Sequence, residues 1–487
     1  MTRALLSCLL LGSLVSLGCG DDDDDLSTGP GGAAGSAASG AGGAAAGSGG
    51  AGANAGGGQT GGAGQGGTLS GSSGQGGSAG ASAGGSSGST STGGTSSSGA
   101  AGTTSTGGTS AGGADSVGGA GGSSSGAGGT GAAGASSSAR WLMGYYPGYQ
   151  STDLPPSEVR FDLMTHLAVG AVLPQNDGSL DTTFFKDASS GPAFAKDLAA
   201  KAHQAGTKAI LMVGGAGYHD GFVASSASAA TRATFVTNLV SFAQQNGFDG
   251  LDLDWEPLPA SEMDAFVALA QDLRAAWPSA VLTVPVNPIN PNYETVDKKF
   301  GTVAGTIDQF NVMTYSMAGA YSGWKSWHHS PLEGQTPETP TSISTSVDAY
   351  LAAGIPAAKL GIGEGFYGLC YTSPVTGPLQ ALGGATSSAN DNQLSYRTLL
   401  STYLPAGTPK WDDSAKAPYL SFDKPTGPSG CTYLSYTNEQ SIGVHTEYVK
   451  QKGLGGSIVW TINEGHLPSK PAGQRDPLLT ALANGLK

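Results

Sequence analysis

Between Asp249 and Glu256 the chain reads DGLDLDWE, with acids at the alternate positions Asp252, Asp254 and Glu256. Side chains of a β-strand alternate between its two faces, so these three carboxyls share one face while Leu251, Leu253 and Trp255 share the other. The apolar face belongs against covering helices. That leaves the acids pointing into an enclosed interior, with successive Cα atoms about 6.6 Å apart at the usual strand rise. Unpaired carboxylates in such a place are costly unless they share protons or hydrogen bonds. Carboxyls this close keep at least one proton near neutral pH, which a general acid requires. Glu256, last on the strand and nearest its open end, is the natural donor. Stacked carboxylates also suit a divalent cation such as Mg²⁺ or Mn²⁺. No convergent His, no Cys and His at ligand spacing and no phosphate-cradling loop accompany these acids, so neither a metal nor an organic cofactor is expected.

An acid strand of this kind needs a scaffold that buries its apolar face. Seven further apolar runs qualify as strands, beginning near Leu142, Met164, Lys208, Val281, Ile307, Leu360 and Gly456. Amphipathic segments separate them, among them Phe194 to Gln204, Ala229 to Gln245 and Met263 to Trp277. Ser261 and Asp264 stand at capping-box spacing and predict the start of the last of these. Eight strands with mostly helical crossovers predict an α/β fold, a (β/α)8 TIM barrel with its active site at the carboxyl ends of the strands. The connection between the seventh and eighth strands is too long for a loop without structure of its own. A small α+β insertion, approximately residues 370–436, is expected there as a wall beside the mouth.

DGLDLDWE resembles the DGxDxDxE signature of glycoside hydrolase family 18, the chitinases and their relatives. The resemblance extends to Met313-Thr-Tyr315 as the sixth-strand motif, Phe366-Tyr367-Gly368 as the seventh, and Gly455-Gly456 through Trp460 as the eighth. It implies that Glu256 protonates the glycosidic oxygen and later activates water. It implies that Asp254 binds the N–H of the substrate's 2-acetamido group, whose oxygen attacks the anomeric carbon. Asp252 would support Asp254 from beneath, Tyr315 would steady the acetamido oxygen, Trp460 would be the floor under the cleaved sugar, and Tyr145 would support the buried acids. Met313 belongs to the same substrate-facing set. Three positions depart from the family pattern: Ser316 stands where Asp is usual, Met212 where Ser is common, and Pro257-Leu258 where Tyr-Pro often follows the acid. Glu364 either compensates for the missing carboxylate or faces helix or solvent. The implied substrates are chitin and N-acetylglucosamine oligosaccharides, cleaved with retention. Trp324, Trp327 and Tyr321, with Trp411 in the insertion, are further candidates to stack on sugar rings. The alternatives are an endo-β-N-acetylglucosaminidase acting on N-glycans and a lectin-like binder that has lost catalysis.

The rest of the chain bounds where this chemistry takes place. Most of the 82 glycines fall in the first third, where Gly, Ser, Ala and Thr leave nothing to form a core. Residues 20–139 are therefore expected to be a disordered linker and residues 140–487 the catalytic barrel. Before the linker, Arg3 and the apolar run Ala4 to Leu17 read as an export signal over residues 1–19. Ser16-Leu17-Gly18-Cys19 resembles a lipobox, with Cys19 acylated as the anchor to an outer membrane or cell surface; cleavage and release is the other expectation. Cys370 and Cys431 are the only other pair beyond the signal and are expected to form a disulfide in an oxidising compartment. The whole chain carries a net charge of −14; with Asp21 to Asp25, Asp115 and Arg3 set aside, the remainder carries −9. An acidic globule offers no basic stripe to a phosphate backbone, so nucleic acid is excluded as a partner and a neutral polymer fits better. A monomer is expected.

Overall fold

A computed structural model describes residues 139–289 and 296–487. The export signal, Cys19 and the linker up to residue 138 lie outside the described residues.

In chain order the strands are β1 (Trp141–Pro147), β2 (His166–Pro174), β3 (Leu180–Asp181), β4 (Lys208–Gly214), β5 (Gly250–Asp254), β6 (Val281–Val286), β7 (Gln309–Val312), β8 (Leu360–Gly365), β9 (Gly368–Tyr371), β10 (Ser387–Ser388), β11 (Thr408–Asp412), β12 (Ala417–Thr426), β13 (Cys431–Tyr436) and β14 (Gly456–Trp460). Eight of them, β1, β2, β4, β5, β6, β7, β8 and β14, are parallel neighbours in that order, and β1 pairs with both β2 and β14, which closes the barrel. β3 only edges β2 in an antiparallel hairpin. The helices are α1 (Ser190–Gln204), α2 (His219–Ser226), α3 (Ala229–Gln245), α4 (Met263–Ala276), α5 (Lys299–Val303), α6 (Ile343–Ala352), the short α7 (Tyr396–Thr398), α8 (Glu439–Lys452) and α9 (Pro477–Leu486). All eight strands expected from the sequence are present, and the fold is the (β/α)8 barrel. None of the helices among the described residues is long and apolar enough to cross a membrane.

Alternation on β5 sorts its residues as its pattern requires. Leu251, Leu253 and Trp255 join the large core between strands and helices, and Trp255 stacks on Phe222 of α2 with ring centroids 5.0 Å apart and planes at 10°. Gly250 lets β5 approach β6: a Cβ there would lie 1.9 Å from the Val281 carbonyl oxygen. Capping differs from the sequence reading at α4. Glu262 rather than Ser261 is its N-cap residue and makes no side-chain cap, because a short 3-10 turn, Ala260–Glu262, already leads the chain into the helix. Reciprocal capping boxes occur instead at Ser228 and Thr231 before α3 and at Asn438 and Ser441 before α8.

Between β8 and β14 the chain builds a second, antiparallel sheet in the order β10-β9-β13-β12-β11. Cys370 on β9 and Cys431 on β13 are joined by a disulfide, their Cα atoms 5.4 Å apart. The sheet begins at Gly368, directly after β8, and ends at Tyr436, directly before α8. Trp324, Trp327, Tyr371 and Tyr433 form a separate apolar cluster beneath it.

Candidate active site

The lumen face of β5 carries the acids. Asp252 is fully buried; the Tyr145 hydroxyl of β1 donates to its Oδ2 at 2.8 Å, and Thr283 of β6 donates to its Oδ1. Burial raises this carboxyl, the two donors pull it back, and the Glu256 charge raises it again; the result is a pKa of about 6. Asp254 is also buried, and its backbone carbonyl accepts the Gly215 N–H at 2.8 Å. Its carboxyl hydrogen-bonds that of Glu256. Glu256 lies just past the strand end and is half-buried, with access to the mouth. Burial pushes its pKa up, partly offset by the bond to Asp254. Asp252 and Glu256 are thus both held above the usual carboxylate range, with Glu256 the outermost, an arrangement suited to keeping a proton at the strand end.

The opposite wall is phenolic. Tyr315, half-buried after β7, meets Tyr367 edge-on with centroids 6.2 Å apart. Gly363 makes room for it, since a Cβ there would stand 2.7 Å from the Tyr315 ring. Burial, followed by neighbouring phenols and carboxyls, raises the pKa values of Tyr145, Tyr315 and Tyr367, so all three remain neutral donors. Ser316 occupies the left-handed region at φ 48°. Its hydroxyl bonds the Tyr367 hydroxyl at 2.6 Å, and its N–H donates to His329 Nδ1 at 3.2 Å. Burial pulls His329 down to about 3, so the imidazole is neutral. Where the family pattern has a carboxylate, this site has a neutral hydroxyl pair. Met212 lies opposite Asp252 on β4 and has no hydroxyl to offer, so Tyr145 and Thr283 supply the donors.

Trp460, half-buried at the end of β14, sits 5.6 Å from the Tyr145 ring at 52°. Its indole N–H donates to Asp391 Oδ2 at 3.1 Å. Met313 is buried at the end of β7, where its N–H bonds the Val286 carbonyl at 2.9 Å. Tyr145 is buried against Asp252 and supports the acids from below. The structure corrects the reading of Trp324 and Trp327. Both are buried in the cluster beneath the insertion, and Trp327 donates its indole N–H to the Thr341 carbonyl at 3.0 Å, so neither offers a face to a ligand. Trp411 is on the edge strand β11, donating to Asp413 at 3.0 Å. The partly buried rings that do pack against the lumen cluster, beside Tyr315 and Trp460, are Phe185 and Tyr218. Glu364 faces α8, not the lumen, and pairs with His445 Nδ1 at 2.9 Å. Sequence reasoning also missed Asp391, Glu464 and Gln150, which come from three distant segments and share no local spacing. Among the described residues, no group of three or more His, Cys, Asp or Glu could hold a metal ion.

A closed parallel barrel that presents a carboxyl able to hold a proton at the carboxyl ends of its strands is built for general acid chemistry at its mouth. The chain belongs to glycosyl hydrolases family 18, whose model matches residues 141–465. It is 29% identical over 366 residues to Chitinase 1 of Aphanocladium album, covering 68% of this chain and 81% of that one. It is 28% identical over 289 residues to Chitinase A1 of Niallia circulans, covering 53% of this chain and 40% of the other, so it spans less than half of that relative. The crystal structure of a chitinase from Rhizomucor miehei superposes with a TM-score of 0.60 at 25% identity, covering 72% of this chain and all of that one.

Proposed function

We propose that the chain hydrolyses β-1,4-linked N-acetylglucosamine polymers, chitin first, with retention at the anomeric carbon. The observation that carries this reading is the hydrogen-bonded pair of Asp254 and Glu256, with Glu256 just past the end of the strand and its carboxyl raised by burial above the usual range. Glu256 gives its proton to the glycosidic oxygen as the bond to the anomeric carbon breaks. The substrate's acetamido oxygen closes on that carbon, and Asp254 stabilises the acetamido N–H as positive charge develops there. Tyr315, kept neutral, donates to the acetamido oxygen, and Trp460 stacks under the ring. Glu256, now ionised, takes a proton from the water that opens the cyclic intermediate.

The chain acts outside the cytoplasm as a monomer, tethered by an acyl group on Cys19. The apolar pattern of residues 4–17 and a disulfide suited to an oxidising compartment support that placement. Loss of fatty-acid labelling in Cys19→Ser is the expected check; labelling in neither protein would mean release.

The test of the activity is digestion of chitooligosaccharides and, separately, of an N-glycan, with products resolved by anomer and EDTA present throughout. β-Anomers appearing first from the chitooligosaccharides are expected. α-Anomers first, or turnover abolished by the chelator, would overturn the mechanism; cleavage of the N-glycan alone would move the substrate to its chitobiose core; binding without turnover would make the chain a lectin-like protein.

A further inference from the structure

Beside Trp460 lies a second pair of carboxyls that hydrolysis does not use. Asp391, between β10 and α7, is 3% exposed, and Glu464, four residues past β14, is 1% exposed. Each oxygen of Asp391 already accepts an N–H: Oδ2 that of the Trp460 indole at 3.1 Å, Oδ1 that of the Asn392 backbone at 2.8 Å. Glu464 Oε1 accepts from Gln150 Nε2 at 2.7 Å, whereas its Oε2 is buried and no N–H or hydroxyl among the described residues reaches it. Within hydrogen-bonding reach of Glu464 stands the Asp391 carboxyl. Since both Asp391 oxygens are occupied as acceptors, the proton belongs on Glu464 and is donated to Asp391. Two ionised carboxylates here would face each other in a dry interior.

The surroundings hold the pair in place. Gln150, beyond β1, also accepts from Thr461 Oγ1 at 2.6 Å, donates to Asn392 Oδ1 at 3.1 Å, and receives Asn463 Nδ2 on its carbonyl at 3.0 Å. This one residue ties the end of β1 to the segment after β14 and to the insertion. The charged and titratable groups facing the pair are Asp153, bridged to Arg397 at 3.0 Å, and Tyr367, whose phenol feels both this pair and Glu256. The Arg397 backbone N–H bonds the Glu464 carbonyl at 3.2 Å. Burial is the first cause raising both carboxyls, with Asp153 adding to the push on Glu464.

We propose that Glu464 is a positioning residue, held as a neutral acid, whose proton fixes Asp391 and through it the Trp460 indole, so that the floor under the sugar is in place only while that proton is bound. The proposal rests on the reading of Trp460 as the sugar platform. It gives the enzyme two separate protonation requirements: one on the acid column for turnover, one on this pair for binding. Loss of the second proton sets two negative charges against each other behind the indole, and KM rises with pH without a matching change in kcat.

The test uses protein labelled with 15N-tryptophan, the Trp460 indole signal being assigned with Trp460→Phe. In the wild type without substrate, that signal is expected to move on the alkaline side, and KM for chitooligosaccharides to rise about tenfold over the same interval, the worth of one charge-assisted hydrogen bond. Glu464→Gln, whose amide N–H donates to Asp391 at every pH, is expected to hold the signal still and flatten the KM profile. Asp391→Ala is expected to displace the signal and raise KM at all pH values, while the pH limb of kcat keeps its position. A wild-type signal independent of pH, or one that titrates equally in Glu464→Gln, would overturn the proposal. Should Glu464→Gln fail to fold, 13C-carboxyl titration of glutamate-labelled Glu256→Gln protein decides: one glutamate must still hold its proton well above the ordinary carboxylate range, and none doing so would overturn it. A titrating indole in a protein that never cleaves chitooligosaccharides would sustain the device and sink the substrate reading instead.

Discussion

Glu256→Gln is expected to lower kcat by about two to four orders of magnitude, the usual worth of a positioned proton donor, with KM for soluble oligosaccharide changing far less, because the amide keeps the shape but has no acidic proton. Steady-state kinetics on chitooligosaccharides check this. Asp252 makes a prediction about stability rather than rate. Its folded pKa of about 6 stands above the unfolded value of about 3.9, so its contribution is fully present below about pH 4 and is lost as pH rises through about 6. The two-unit gap corresponds to about 3 kcal/mol, and thermal melts between pH 4 and 6 should lose that slope in Asp252→Asn. Ser316→Asp tests the missing carboxylate. Aspartate tolerates the left-handed backbone there, the Tyr367 hydroxyl is 2.6 Å from the position of the serine oxygen, and a new negative charge near Glu256 should raise its pKa further. The alkaline limb of the kcat profile is therefore expected to move to higher pH in that variant; a fixed limb would mean that the hydroxyl pair insulates the acid.

Both faces of β5 were legible from residue type alone, since strict alternation of acid and apolar side chains leaves one arrangement that buries leucine and tryptophan without stranding charge against the helices. The seven other barrel strands were legible for the simpler reason that parallel strands buried on both faces read as continuous apolar runs. What could not be read was anything assembled across loops. Gln150, Asp391 and Glu464 meet only because β1, the insertion and the segment past β14 end at the same side of the barrel. Trp324 and Trp327 look like sugar platforms in sequence, but an aromatic ring serves equally well as a wedge under a sheet, and only the placement of the insertion decides which. Ser261 had the spacing of a cap and lost the role to a 3-10 turn. Melting curves can verify that distinction. Asn438→Ala should cost about 1 kcal/mol by removing the capping box of α8, whereas Ser261→Ala should be nearly silent.

Over the whole molecule, the Cys370–Cys431 bridge spans a sequence separation of 61 residues. In the chain-entropy account that closure contributes about 4 kcal/mol, so the double variant Cys370→Ser with Cys431→Ser should melt well below the wild type in chemical denaturation, with barrel and insertion losing structure together because they share one core. A chain beginning near Arg140 should retain full activity on soluble oligosaccharide, since every residue of the acid column and its supports lies beyond that point; a large loss would mean that the preceding segment takes part in the site. The insertion enters at Gly368 and leaves at Tyr436, and these two residues are direct partners in the pairing of β9 with β13. Its two ends therefore meet in one rung of a ladder, set between neighbouring strands of a closed barrel. Geometrically that is a splice site: the chain leaves the barrel and returns to it at a single point, so those parts beyond the rung that stay out of the shared core can be lengthened or shortened without altering the order of the eight strands or the place of the acids beneath them.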